Sequence, residues 1–199
     1  MKVVIIKYNA GNIFSVDYGL KRIGVEAEIT GDIEKIRKAD KVIFPGVGEA
    51  GTTMAYLREH KLDELIKSLQ QPVFGICIGM QLLCSYSEEG NTECLGIFNE
   101  KVKKFSTPNS LKGTFKVPHM GWNTIQYSEN KLFKGINQND YVYYVHSYYA
   151  GVGKNTIATT DYVHPFSASL QKDNFYAVQF HPEKSGIVGE KILKNFMEL

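Results

Sequence analysis

Along the first half of the chain, apolar positions alternate between short unbroken runs and helical stripes. Val3 to Ile6 is the kind of run presented by a strand buried on both faces. From Asn12 to Ile23, Ile13, Val16, Leu20 and Ile23 recur at helical spacing, and the pattern stops at Gly24. A second strand is expected over Glu26 to Ile29, a short helix over Ile33 to Lys38, and a third strand at Val42-Ile43-Phe44. That strand runs into Pro45-Gly46-Val47-Gly48. Ala50 to Leu69 is helical with a break near Lys61, Val73 to Ile76 is a fourth strand ending at Cys77, and Ile78 to Cys84 begins the next helix.

The second half is richer in strand. Val102 to Phe105, Asn123 to Tyr127, Val142 to Tyr149, Thr156 to Thr160, Ala168 to Leu170 and Ala177 to Phe180 all carry β patterning, and a final helix over Ile187 to Met197 aligns Val188, Ile192 and Phe196. Strands separated by helical stretches imply a parallel sheet covered on both faces. The expected architecture is three-layer α/β, with a mostly parallel central sheet and a partly antiparallel extension. No repeat, low-complexity tract or linker divides residues 1–199, so one domain is expected.

Composition narrows the function classes. The formal net charge is +2, and only Arg22, Arg37 and Arg58 are arginines, without a basic cluster, so nucleic acid is not an expected partner. No segment approaches the roughly 20 apolar residues of a membrane span, and the apolar stretch after Met1 is too short for a signal peptide. Three cysteines, Cys77, Cys84 and Cys94, form an odd set without metal-ligand spacing. A cytoplasmic enzyme with reduced thiols, no metal and no cofactor is the expectation.

The candidate chemistry centres on Gly75-Ile76-Cys77-Ile78-Gly79-Met80-Gln81. A cysteine between glycines at a strand-to-helix turn follows the logic of the nucleophile elbow, in which the glycines clear space for a sharp turn. The thiolate is the attacking form, and a helix N-terminus and a neighbouring imidazole both favour it. The N–H of Ile78 would then face a developing oxyanion. Taken alone, Cys77 equally fits a buried corner cysteine.

His181-Pro182-Glu183 follows the apolar run Tyr176-Ala177-Val178-Gln179-Phe180. In extended chain His181 and Glu183 project to one side, so the carboxylate can orient the imidazole as a base for Cys77. His119 and His146 are alternative bases, but neither has a carboxylate close in sequence; structural or site-lining roles suit them better. His60 and His164 read as surface or loop residues. Gly46-Val47-Gly48-Glu49-Ala50-Gly51 matches a dinucleotide fingerprint, yet it follows the third strand, and the next strand ends in Cys77 rather than an acidic residue. A wall of the cysteine pocket, or a second oxyanion donor, is the better account of it.

With these motifs the chain resembles the class I glutamine amidotransferases over essentially its whole length. The resemblance rests on Tyr8 to Asn12, Pro45 to Gly48, Gly75 to Gln81, Ser87 to Gly90, Pro118 to Asn123, His146 to Tyr149 and Gln179 to Ser185. It is nearest to the glutaminase subunits of the histidine pathway. It implies the flavodoxin-like fold of that family and attack by Cys77 on the side-chain amide of glutamine, with His181 as base and then acid and Glu183 orienting it. It further implies that Gly48, Gln81, Glu89, Ser147 and Tyr148 surround the substrate, and that the peptide at Val47 joins Ile78 in the oxyanion hole. Ammonia would pass to a separate (β/α)8-barrel cyclase subunit in a heterodimer. Lys7-Tyr8-Asn9 stands where the family carries Asp-Tyr-Gly, Cys84-Ser85 where it carries Phe-Glu, and Gly186 where it carries serine. These departures spare the triad and leave a partner that modifies surface sugars as the alternative.

Overall fold

The computed structural model describes residues 1–9, 12–106 and 115–199, so Ala10 and Gly11 of the Tyr8 to Asn12 motif lie outside the described residues. In chain order the elements are β1 (Val3–Ile6), α1 (Ile13–Arg22), β2 (Ala27–Thr30), α2 (Ile33–Arg37), β3 (Lys41–Phe44), α3 (Ala50–Glu59), α4 (Leu62–Ser68), β4 (Val73–Ile76) and α5 (Ile78–Leu83). They continue with β5 (Tyr86–Ser87), β6 (Thr92–Glu93), β7 (Lys101–Lys104), β8 (His119–Thr124), β9 (Gln126–Tyr127), β10 (Tyr141–His146) and β11 (Tyr148–Ala150). The last are β12 (Thr156–Asp161), β13 (Pro165–Lys172), β14 (Phe175–Val178) and α6 (Gly186–Met197).

The main sheet runs β2-β1-β3-β4-β14-β13-β12-β9. Its strands are parallel from β2 through β14 and antiparallel beyond. Alternation along β1 sends Val4 and Ile6 into one core and Val3 and Ile5 into the other, giving the three layers. Because β3, β4 and β14 are adjacent and parallel, the segments after them all emerge at one edge. Those segments are Pro45 to Gly48, Cys77, and Gln179 to Glu183. Ligand sites of open α/β sheets form outside the carboxyl ends of the strands, where these residues lie.

The break expected near Lys61 is present: Lys61 adopts φ 55° between α3 and α4. Other boundaries differ from expectation. The run Val142 to Tyr149 is two strands, because the chain changes sheets at Ser147: β10 pairs with β8, whereas β11 pairs with β7. Likewise Asn123 to Tyr127 divides at the buried Ile125 between β8, which begins at His119, and β9 on the main sheet. The last strand ends at Val178 rather than Phe180: Gln179 still donates its N–H to the Ala168 carbonyl of β13 at 2.9 Å, and the chain then bends. The short hairpin β5–β6 has no apolar alternation to announce it.

Candidate active site

Cys77 occupies the turn between β4 and α5 with φ 54° and ψ −108°, a combination L residues rarely adopt. The turn is pinned by the Cys77 N–H donating to the Val178 carbonyl at 2.8 Å. Gly79 is required by close approach: a Cβ there would lie 2.0 Å from the Phe44 carbonyl oxygen. Only glycine lets α5 pack this tightly against β3 and present the sulfur beside the segment following that strand. Ile78 opens α5, and the first-turn amides of a helix have no intrahelical acceptor.

His181 is almost fully buried, and its N–H is fixed by the Tyr143 carbonyl at 2.9 Å. Its Nδ1 lies 2.8 Å from Glu183 Oε1. The pairing arises differently from strand alternation: Pro182 opens a 3₁₀ turn over Pro182–Lys184 that swings Glu183 round to the imidazole. Helix α1 and its N-cap hold Glu183 from behind. Asn12 Nδ2 donates to Glu183 Oε1 at 3.3 Å, Arg22 Nη2 donates to the Glu183 carbonyl at 2.8 Å, and Gly19 admits the Glu183 Cβ, which a methyl at that position would meet at 2.9 Å. Burial alone would lower the His181 pKa, but the Cys77 sulfur and the Glu183 carboxylate outweigh it and raise it to about 10. His181 Nε2 is buried and makes no hydrogen bond among the described residues. The imidazole is thus oriented on one nitrogen by Glu183, with the other left for proton exchange, and its charge is favoured by the Cys77 sulfur.

A cavity of about 310 Å³ opens over the sulfur, lined by Val47, Gly48, Cys77, Ile78, Gln81, Glu89, Ser147 and Tyr148 together with Pro118, Val145 and His146. Every substrate and oxyanion residue expected from the sequence therefore shares one cavity, and the His181–Glu183 pair stands behind it. Glu89 accepts from the Ala50 N–H at 2.9 Å. Burial raises the Glu89 pKa against the effect of that bond, and the nearby Glu49 adds to the rise. Glu49 itself accepts from Thr52 N at 2.7 Å and Gly51 N at 2.8 Å, which hold its carboxyl below the usual range. Two carboxylates thereby occupy the α3 amides a pyrophosphate would need, which explains why the glycine fingerprint is not a dinucleotide site.

Two further side chains bear on the site, His146 in the site-lining role expected for it and Gln179 without any such expectation. His146 borders the cavity and belongs to a neutral chain: Asn123 Nδ2 to His119 Nε2 at 3.3 Å, His119 Nδ1 to His146 Nε2 at 3.0 Å, and His146 Nδ1 to the Tyr148 carbonyl at 2.7 Å. Burial lowers the pKa to about 4 at His119 and about 3 at His146, so both imidazoles are uncharged near neutrality and are weak proton acceptors. The second feature is Gln179, fully buried with Nε2 3.7 Å from Cys77 Sγ. Its signal in the sequence was a lone polar residue inside the apolar run Val178-Gln179-Phe180. Cys84 and Cys94 are buried free thiols away from the cavity.

A thiol at a strained elbow, an imidazole oriented by a carboxylate and a small cavity over the sulfur form an arrangement suited to cysteine-based acyl chemistry. The chain belongs to the glutamine amidotransferase class-I family, whose model matches residues 4–199. It is a glutamine amidotransferase. It is 63% identical over 199 residues, the whole of both chains, to the imidazole glycerol phosphate synthase subunit HisH of Bacteroides fragilis. It is 45% identical to the protein of the same name from Shewanella loihica, over 98% of this chain and 90% of that one. Among solved structures, a glutamine amidotransferase superposes with TM-score 0.75 at 17% identity, covering 100% of this chain and 98% of that chain. A chain of PurLQS from Thermotoga maritima superposes with TM-score 0.72 at 15% identity, covering 99% and 97%. These structural likenesses bear on the fold alone.

Proposed function

We propose that residues 1–199 form one domain, the glutaminase subunit of imidazole glycerol phosphate synthase, acting in the cytoplasm beside a (β/α)8-barrel cyclase subunit. The observation that carries the chemistry is the His181 Nδ1 to Glu183 Oε1 contact of 2.8 Å behind the Cys77 elbow. The full-length similarity to proteins named HisH carries the choice of synthase and favours the cyclase over a surface-sugar partner.

In this mechanism the Cys77 thiolate attacks the side-chain carbonyl of glutamine held by Gly48, Gln81, Glu89, Ser147 and Tyr148. The N–H of Ile78 and the peptide at Val47 receive the oxyanion. His181 passes its Nε2 proton to the departing ammonia, then takes a proton from the water that cleaves the thioester and releases glutamate. Glu183 keeps the imidazole oriented throughout.

An exposed apolar face supports the subunit role. In the β8–β10 ribbon Met120 and Trp122 share a face with Tyr141 and Tyr143, Trp122 meeting Tyr143 edge to face at 5.8 Å. Met120, Trp122 and Tyr141 are all more than half exposed, which a chain without a partner would be expected to avoid. Since Val145 of the same ribbon lines the cavity, a cyclase docked there would sit within a few residues of the ammonia source.

Reconstitution with the cyclase tests the proposal. Glutamine-dependent formation of imidazole glycerol phosphate should be lost in Cys77→Ala while ammonia-dependent formation persists. Glutaminase activity retained by Cys77→Ala would exclude the mechanism, and a chain that activates only a sugar amidotransferase would exclude the assigned partner.

A further inference from the structure

The buried amide of Gln179 has no part in the mechanism above, and its orientation is dictated from a distance. The Tyr148 carbonyl can only accept, so Gln81 must present its nitrogen there, at 2.9 Å. The same Gln81 Nε2 also points at Gln179 from 2.9 Å, so Gln179 must answer with its oxygen. Its NH₂ group is then forced to the other side, where Cys77 Sγ lies 3.7 Å away. The sulfur has an acceptor as well, the Val145 carbonyl at 4.0 Å. Each protonation state of Cys77 therefore has its own partner: Val145 accepts from the thiol, and Gln179 donates to the thiolate.

We propose that Gln179 is a thiolate-stabilising residue of the glutaminase reaction, held in its donating orientation by Gln81. A donor fixed on the sulfur favours the anion, the form that attacks. It acts again in the second half of the cycle. When water adds to the thioester carbonyl and its proton goes to His181, the carbon–sulfur bond breaks and its electron pair returns to sulfur. Gln179 receives that charge without moving. Full burial makes the contact more effective, since no water competes for the sulfur on that side. Gln81 then has two roles in one side chain, lining the substrate cavity and setting the polarity of the amide behind the nucleophile.

This inference rests on the proposed role of Cys77, and the test separates the two. The full-length chain, without its partner, is alkylated with iodoacetamide across a pH series, and peptide mapping assigns the label to Cys77. Gln179→Met removes the donor at similar volume and should move the midpoint of alkylation upward by about one pH unit. Gln179→Glu places a carboxylate beside the sulfur and should move it further. Gln81→Met leaves Gln179 in place but frees it to rotate, so an intermediate shift is expected and no change is made at the sulfur itself. A purely structural role for Gln179 would lower stability and leave the midpoint where it was. Unchanged midpoints in Gln179→Met and Gln81→Met, with Cys77 still essential for glutamine hydrolysis, would overturn this inference alone. Hydrolysis surviving in Cys77→Ala would overturn the reading beneath it.

Discussion

Acidification should destabilise this protein through the buried His119–His146 pair. Burial holds these imidazoles at about 4 and about 3, against an ordinary value of 6.5. Between those limits both are neutral in the folded chain and protonated in the unfolded one. The unfolded state then binds more protons, so stability falls as pH falls through 6.5. Each group contributes a slope of about 1.4 kcal/mol per pH unit. Over a descent of about 1.5 units the pair costs about 4 kcal/mol, a large share of the roughly 5–15 kcal/mol that holds a typical domain folded. His181, raised to about 10, is protonated in both states at these acidic values and adds nothing to the slope; its contribution is present below 6.5 and declines only as pH rises toward 10. His119→Asn isolates the effect, because its amide keeps an N–H near the position that donates to His146 while removing one titrating group. Urea unfolding followed by far-UV circular dichroism at several pH values between about 6.5 and 5 gives the slopes. His119→Asn should lose stability less steeply by about 1.4 kcal/mol per unit. If it matches the unsubstituted chain in slope, the linkage reasoning is wrong.

Other outcomes follow from single contacts. Gly79→Ala puts a methyl 2.0 Å from the Phe44 carbonyl oxygen; it should destabilise the fold by about 3 kcal/mol, and an unchanged urea midpoint would contradict the close packing of α5 on β3. Glu183→Gln keeps the shape of the side chain but removes the charge beside the imidazole, so glutamine turnover with the proposed cyclase subunit added should fall by on the order of 10³-fold or more; a loss below tenfold would show that α1 and the Ser185 contact to the His181 carbonyl suffice to position the ring.

The first half of the fold was legible because each buried strand and each amphipathic helix announces itself by local periodicity. The elements misplaced in the second half fail for a physical reason: at Ile125 and Ser147 the chain changes sheets without losing its β patterning. Pairing partners are decided by tertiary contacts that a local pattern does not contain. The proposed triad of Cys77, His181 and Glu183 was picked out by motif spacing, although the route that brings the last two into contact was not. Strand alternation and a 3₁₀ turn both bring residues i and i+2 together, and Pro182 selected the turn. The support for Glu183 from Asn12, Gly19 and Arg22 was invisible because it spans most of the chain.

The backbone at Cys77 sets a further consequence, one of burden rather than chemistry. A residue held at φ 54° and ψ −108° carries a conformational load of about 1–3 kcal/mol that glycine would escape. In an ordinary strand or helix, glycine is less stable than alanine by about 0.5–1 kcal/mol. At position 77 the order should reverse, with Cys77→Gly melting above Cys77→Ala. The difference in stability between those two variants would be the conformational cost of placing any side chain at this turn, borne by the fold wherever the proposed nucleophile is presented.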